Sequence, residues 1–544
     1  MISVNQVGFE PNAPKGFSVS GADGGSFTVE AMGPDVKWHP VFDGILSAPA
    51  ADGLRTGDFS AVTECADYRI RCGREVSRPF VVKPFVHSGV ERMMLSYFRW
   101  QRCGSKKGWA GLCHQDPVPL RGTDRRLDLR GGYHQSGDLR GWADGISMSV
   151  YSLLRWAGLR TPFWDSGEIE EELRWGIDYF LKLVGDEGFA YDCQFLPIGW
   201  GARDYYASPA NLGAQCNILM LLARAAQRFR TSDPTYADRC LATALRMVPV
   251  LENDPRLEPP YKPPVPLEPG CQDESFYAQT YRRSATGLSG LAMGMLELYR
   301  ATGDETWAER AKAYGHRLVA LQWTDGPLRG LYRLDETRKD TAFGDCSYNH
   351  SVHGERVPFE LFREFGGAEW RDAALRTCEC DLRMHEEDRD RAIAQIIARE
   401  NGTLPAGDPL HGASVPAIVR HGTSAFPALS RAIRLNEGAI QFGHEDFRAA
   451  AQDYLDWIFG RNPRGACYVT GPGYGNERSN VWGQFFPSTP AIPGGVSHVM
   501  DGEYDMPAVG LALWAFAEAA VAAGSDPALE AASRVSWRFG EFAG

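Results

Sequence analysis

Between residues 92 and 523 the chain is a succession of helix-length segments, most with apolar residues at three- and four-residue spacing. In order these are Arg92–Arg102, Ile146–Gly158, Ile169–Gly185, Asn211–Arg230, Pro234–Leu251, Thr286–Thr302, Glu305–Trp323, Val352–Phe365, Ala368–Glu386, Pro427–Leu435, His444–Gly460 and Met506–Ala523. Short acidic or glycine turns join several consecutive pairs. In Arg300-Ala-Thr-Gly-Asp-Glu-Thr-Trp307, the stretch Thr302 to Asp304 ends one helix and caps the next. Helical hairpins in this number either close into an (α/α) toroid or stack into an open solenoid. A solenoid needs a repeat of constant period, and none is present, so the toroid is predicted. Long Pro- and Gly-rich connections, Pro255 to Gly270, Leu404 to Ser424 and Gly471 to Gly502, join the helices. Loops of that length in a compact domain usually carry function.

The first 85 residues follow a different period. Phe17-Ser-Val, Phe27-Thr-Val-Glu-Ala, Tyr68-Arg-Ile-Arg-Cys and Phe80-Val-Val alternate apolar and polar between Gly, Pro and Asp, which predicts a small all-β sandwich over 1–85 and a mainly α domain over 86–544. A chain of 544 residues is too long for one ordinary core. Its net charge of −12 argues against nucleic acid or an acidic membrane surface as partner. A neutral or cationic small substrate suits it better. Met1 to Pro11 lack a basic region followed by an apolar run, and no apolar segment approaches the roughly 18 residues of a membrane span. A cytoplasmic location is therefore expected, or a secreted one if a signal segment was removed. The 12 cysteines are irregularly spaced and are expected mostly as reduced thiols, with Cys378 and Cys380 one buried and one exposed on a helix.

One stretch is built to place side chains rather than to fill a core. Asp128 to Trp142 reads D-L-R-G-G-Y-H-Q-S-G-D-L-R-G-W, where Gly131 and Gly132 allow positive φ or close backbone approach. Upstream stand Cys103 and the adjacent pair Cys113-His114. With His134 they form a Cys, Cys-His, His series with the chemistry of a closed tetrahedral zinc site. The competing reading is a pair of buried thiols or a disulfide. Calcium is a second candidate cofactor. His350 and His353, one helical turn apart, have no further ligand beside them and are read as structural or substrate contacts.

Several stretches together resemble one family. Val4-Asn-Gln-Val-Gly-Phe9 with Pro11 and Lys15 is similar to the N-terminal immunoglobulin-like domain of one branch of glycoside hydrolase family 9. Gln101-Arg-Cys-Gly104, Cys113-His114 and Gly131-Gly-Tyr-His-Gln-Ser-Gly-Asp138 resemble that family's Q-R-C-G, C-H and G-G-W-H-D-A-G-D motifs. Arg174-Trp-Gly-Ile-Asp-Tyr-Phe-Leu-Lys182 resembles its W-G-x-D-Y helix, and Gly460-Arg-Asn-Pro463 with Tyr468-Val-Thr-Gly471 its G-x-N-P and Y-V-T-G segments. The matches fall in family order over most of the chain. The resemblance implies an (α/α)6 barrel that hydrolyses β-linked glycans with inversion, and a zinc site. Two departures stand out: Gln135 replaces the first Asp of D-A-G-D, and the H-H-R segment that lines sugar subsites in the family's cellulases is missing after Gly471.

Inverting hydrolysis needs a base that deprotonates water and an acid that protonates the leaving oxygen, their carboxyl groups roughly 6.5–9.5 Å apart. Asp138 matches the family's base, with Gln135 left to orient water by hydrogen bonding. Glu503, in Asp501-Gly-Glu503-Tyr-Asp505-Met-Pro507 ahead of the last helix, is the candidate acid. The structural alternatives are a helix cap at Asp138 and dipole-favoured charges at Glu503 and Asp505. Trp142, Trp200, Tyr205, Tyr206 and Trp482 are candidate sugar-stacking residues, against the commoner role of aromatics as core. Asp273 and Glu274 either reach the cavity or lie in a solvated loop. The expected function is that of an inverting glycoside hydrolase on short β-linked oligosaccharides, exo-acting, glucosidase- or glucosaminidase-like. The alternatives are a catalytically impaired carbohydrate-binding or regulatory protein, or a lyase or epimerase on the same toroid. The sequence leaves the oligomeric state open.

Overall fold

The computed structural model describes the chain except residues 23, 51–52, 121–122, 138–140, 161–165, 196–204, 259–280, 327–328, 334, 336–341, 344–354, 402–424, 463–464, 475–491, 497–503 and 525–544; for 160, 166, 193–195, 205–206, 208, 342–343, 384, 386–401 and 427 it describes the backbone alone. Asp138, Glu503, Trp200, Trp482, Asp273, Glu274, His350 and His353 lie outside the described residues.

Eight strands come first: β1 (Ile2–Val4), β2 (Gly16–Ser20), β3 (Ser26–Met32), β4 (Trp38–Ile45), β5 (Leu54–Asp58), β6 (Ala66–Cys72), β7 (Glu75–Val76) and β8 (Phe80–Val82). They pair antiparallel into a sheet of order β1-β2-β5 and a sheet of order β4-β3-β6-β7 with β8 on β6. The predicted alternation holds: Phe17, Val19, Phe27, Val29, Tyr68, Ile70, Phe80 and Val82 all point into one core between the sheets. Phe17 and Phe27 meet edge-on there, ring centroids 4.9 Å apart.

Twelve α-helices follow among the described residues: α1 (Ser88–Trp100), α2 (Ala143–Arg160), α3 (Ser166–Leu183), α4 (Leu212–Phe229), α5 (Pro234–Asn253), α6 (Ala285–Thr302), α7 (Glu305–Ala320), α8 (Val357–Phe365), α9 (Ala368–Asn401), α10 (Ala425–Phe442), α11 (Glu445–Ile458) and α12 (Met506–Ala522). The even-numbered helices pack side by side, α2 on α4, α4 on α6, and so on to α12, which closes the ring on α2. The odd-numbered helices lie outside them. This is the (α/α)6 barrel with a preceding β sandwich. Inner helices α6 and α12 are buried almost all round, whereas α7 buries only Ala308, Ala311, Gly315 and Leu318, one stripe at helical spacing. The predicted α6–α7 turn is a left-handed Gly303 followed by Asp304, whose carboxylate caps Thr306 N–H at 2.9 Å.

Two helices outrun the expected bounds. The helix expected to end at Glu386 runs on to Asn401 as α9, through a charged stretch and then Ala392-Ile-Ala-Gln-Ile-Ile-Ala398, where Ile393, Ile396 and Ile397 resume helical spacing. Likewise α10 continues past Leu435 through Asn436-Glu437-Gly438 to Phe442, because Glu437 is buried by ion pairing instead of ending the helix. The reading of Cys378 and Cys380 is also corrected: both are buried. Cys378 faces Gly438 of α10, and Cys380 faces Gly330, where the missing side chains leave room for sulfur. The nine described cysteines form no disulfide.

Toward the C-terminal ends of the inner helices the core turns ionic. Arg155 of α2, Arg300 of α6 and Arg363 of α8, together with Arg356, the residue just before α8, surround Glu360 at 2.9–3.1 Å, and Arg356 also reaches Glu437 at 2.8 Å. The opposite end, where the inner helices begin, carries the site.

Candidate functional site

The four predicted metal ligands converge. Among the described residues, Cys103, Cys113, His114 and His134 form the one group of three or more such side chains whose ligand atoms cluster, all within 4.8 Å of one another. Cys103 follows the end of α1, and the loop from Gly104 to His114 folds back over it. Gly104 takes φ +67° and donates its N–H to Cys113 Sγ at 3.2 Å. His114 is held at φ +49°, a conformation uncommon outside glycine, with Nδ1 3.1 Å from Cys103 Sγ. His134 Nε2 stands 3.3 Å from Cys113 Sγ. The two sulfurs are 3.7 Å apart, too far for a disulfide. A tetrahedral site with Zn–S near 2.3 Å would set that edge at about 3.8 Å, so the donor set fits zinc in both chemistry and spacing. The thiol of Cys103 and the rings of His114 and His134 pull the Cys113 thiol far below its ordinary range, toward the thiolate that a metal needs.

Hydrogen bonds of His134 and of the two residues before it hold the loop from behind. The His134 N–H donates to the Gln101 carbonyl at 2.8 Å, and Cys103 N–H donates to the Gly132 carbonyl at 2.9 Å, so the end of α1 and the loop pair as a short bridge. Gly131 and Gly132 take φ +92° and +67°, as the glycine pair predicted, and a Cβ on Gly132 would lie 2.6 Å from the Tyr179 ring. From α3, Trp175 Nε1 donates to the Gly132 carbonyl at 2.7 Å. Tyr133 Oη donates to Glu172, which also binds Arg102 through two contacts of 2.8 and 3.1 Å.

Beyond His134 the loop enters the barrel mouth. Gln135 is buried, and its amide oxygen fills the space that a Cβ on Gly145 of α2 would occupy, next to Pro507 of α12. Its carbonyl accepts the Met506 N–H at 2.9 Å. Gln135 therefore sits between the starts of two neighbouring inner helices. Asp138 and Glu503 each lie three residues from that hydrogen bond in sequence. The alternative of Asp138 as cap of α2 finds a competitor, since Ala143 N–H, the first of the helix, donates to Asp192 Oδ1 at 2.8 Å. Trp142 is half-buried and its carbonyl accepts the Ile146 N–H. Tyr205 and Tyr206 lie on β10 (Tyr205–Pro209), antiparallel to β9 (Tyr191–Phe195), at the same mouth, where Leu120 also bridges Ala207.

Three groups here were given no role by sequence reasoning. Asp144, in the first turn of α2, is buried, and desolvation pushes its carboxyl up to about 7. Asp192 caps the same helix, and Gln101 is wholly buried behind the metal loop. Asp144 carried a weak signal, an acid at a helix start; Asp192, in a short strand, carried none.

The wider comparison agrees with the geometry. The chain is 24% identical to a cellodextrinase of Butyrivibrio fibrisolvens over 87% of its length and 85% of that protein's. It is 21% identical to a xyloglucan-specific endo-beta-1,4-glucanase of Bacteroides ovatus over 87% and 80%. Against endoglucanase C of Cellulomonas fimi, identity is 23% over 91% of this chain but 46% of that protein. Among solved structures, a metagenome-derived family 9 endoglucanase superposes with a TM-score of 0.68 at 17% identity, covering 96% of this chain and 99% of that one. A Zn-binding triple mutant of another family 9 endoglucanase superposes at 0.66 and 17% identity, over 94% and 99%. Residues 88–480 match the sequence profile described as glycosyl hydrolase family 9, and the chain, a glycosidase, belongs to that family.

Proposed function

We propose that this glycosidase hydrolyses short β-1,4-linked oligosaccharides from one end with inversion of the anomeric centre, Asp138 acting as general base and Glu503 as general acid. The observation that carries the reading is the Met506 N–H to Gln135 carbonyl bond of 2.9 Å. It ties the segment after Glu503 to the loop before Asp138, which supports pairing these two carboxylates, far apart in the sequence, in one site. The water that Asp138 deprotonates would attack the anomeric carbon on the face opposite Glu503, which protonates the departing oxygen. Gln135 carries no charge, so Asp138 is the one carboxylate of its motif. The names of the relatives support a β-1,4-linked backbone. The missing H-H-R segment favours short substrates over cellulose, and the net charge of −12 favours an amino sugar such as a β-glucosaminide.

Zinc held by Cys103, Cys113, His114 and His134 would have four protein ligands and no open position, so it supplies loop rigidity and not a Lewis acid. Trp142, Tyr205, Tyr206, Trp200 and Trp482 are assigned to sugar stacking from the sequence, which puts them in loops or at helix ends. A panel of β-linked aryl glycosides and oligosaccharides, with product anomers followed by NMR, tests the reading. Release of the α-anomer from chain ends is expected. Retention of configuration, or no cleavage of any β-1,4-linked substrate, would overturn it.

A further inference from the structure

We infer that Gln101 is a positioning residue that sets the acid-bearing segment against the base-bearing loop; this rests on the assignment of Asp138 and Glu503 above. Inverting hydrolysis depends on the separation of its two carboxyl groups, and a misplacement of about 1 Å costs on the order of 10²-fold in rate. Here the two come from segments some 365 residues apart (503 − 138), so something must hold those segments in register. The Met506 to Gln135 bond is one tie. Gln101 makes the second.

Gln101 is fully buried at the end of α1, and each of its polar groups is used. Its carbonyl accepts the His134 N–H at 2.8 Å, and its own N–H donates to Tyr97. Its side-chain oxygen accepts Trp109 Nε1–H at 2.7 Å, and its Nε2 donates to Tyr97 Oη at 2.9 Å. An indole N–H only donates, so the amide has one orientation, with its NH₂ toward Tyr97. The Tyr97 ring in turn meets Tyr504 edge-on, centroids 5.5 Å apart. The Tyr97 ring and the Tyr504 Cβ both close on Gly495, where a Cβ would come within 3.1 Å and 3.2 Å of them. Trp109, from the metal loop, stands edge-on to the His134 ring at 6.0 Å. One buried residue thus links the metal loop, through its side-chain oxygen and Trp109, the base-bearing loop, through its main-chain carbonyl and His134, and, by way of the Tyr97 ring, Tyr504 next to Glu503.

A residue needed only to end α1 could be apolar. Burying an amide costs free energy unless both its ends are bonded, and replacing it alone by an apolar side chain withdraws a partner from Trp109 Nε1–H and Tyr97 Oη, so some stability is lost with it. What such a replacement would lose is the fixed orientation of Tyr97.

The test uses Gln101→Met and Tyr97→Phe in the full chain, each keeping side-chain volume. Both are expected to retain zinc at the parent level and KM within about threefold, while kcat on an unactivated β-1,4 oligosaccharide falls about 10–100-fold and kcat on its 2,4-dinitrophenyl glycoside changes little. Should Gln101→Met fail to fold, Tyr97→Phe alone carries the measurement. A lower melting temperature with kcat intact, equal losses on both substrates, or loss of zinc overturns the inference. Glu503→Gln is measured beside them. If it shows no dependence on the leaving group, the acid assignment fails and the inference falls with it; if it does and the other two do not, only the positioning role is refuted.

Discussion

Arg155 of α2 and Glu360 of α8 meet 2.9 Å apart inside the barrel wall, both almost wholly removed from solvent. Glu360 also receives Arg300, Arg356 and Arg363, and these guanidinium groups hold its carboxyl well below the usual range against the opposing effect of burial. Such a network does not make the barrel more stable than an apolar core would, but breaking it leaves buried charge uncompensated. Glu360→Gln is expected to destabilise by about 3–5 kcal/mol in urea unfolding. Because the site is at the other end of the inner helices, KM is expected to stay at the parent value. A loss below about 1 kcal/mol would mean that water reaches the cluster and screens it.

The metal loop makes a separate prediction. Without a bound ion, Cys103, Cys113, His114 and His134 would hold their close approach only through hydrogen bonds among sulfur and ring nitrogen. Protein purified without chelator is expected to contain one zinc per chain, and Cys113→Ser to lower both zinc content and melting temperature. Zinc analysis near zero in the parent, with the melting temperature of Cys113→Ser unchanged, would remove the metal from the account.

How much of this was legible beforehand depended on whether burial went with apolarity. The twelve helices and the strands through Phe17, Phe27, Tyr68 and Phe80 showed themselves by period, and the four metal ligands by residue type. Glu437 did not: a Glu beside Asn436 and Gly438 reads as a helix end, and only the arrival of Arg356 from α8 makes it interior. The helix expected from Val352 begins at Val357 as α8, with Pro358 in its first turn, where a missing N–H costs nothing. Gln101 was quoted as part of a motif, but its partners Tyr97, Trp109 and His134 come from different segments, so spacing could not reveal them. The same holds for Asp192, which reaches α2 from a strand 49 residues away.

Asp144 gives the fold a pH signature. Burial raises its carboxyl to about 7, outweighing hydrogen bonds from Gly145 and Asn211. The N-terminus of α2 also favours the charged form, by an amount on the order of 1 kcal/mol or less. Since the folded state holds this proton more tightly than the unfolded chain, stability from this group is fully present at or below pH ~4 and is lost as pH rises through about 7. Asp144→Asn mimics the protonated form. Its stability relative to the parent is therefore expected to increase between pH 5 and pH 8, read by urea unfolding of both proteins. A difference that stays constant over that range would show Asp144 ionised throughout.

On the proposed mechanism catalysis turns on Asp138, the one carboxylate left in its motif now that Gln135 occupies the position of its usual partner. With Gln135 packed against Gly145 and carrying no charge, Asp138 is spared the like-charge repulsion that a paired carboxylate would feel. Asp138→Asn is expected to lower kcat by at least about 10²–10⁴-fold, as loss of a general base does, with the circular dichroism spectrum unchanged. Gln135→Asp restores the second charge. Repulsion between the two carboxylates is then expected to raise the acidic limb of the kcat/KM profile, because the base must lose its proton beside another anion. Glu503→Gln is expected to depress cleavage of unactivated oligosaccharides far more than that of 2,4-dinitrophenyl glycosides, whose leaving group departs without a proton. Near-full activity in Asp138→Asn, or equal losses on both substrates in Glu503→Gln, would sink the assignment of these two residues while leaving the family membership untouched.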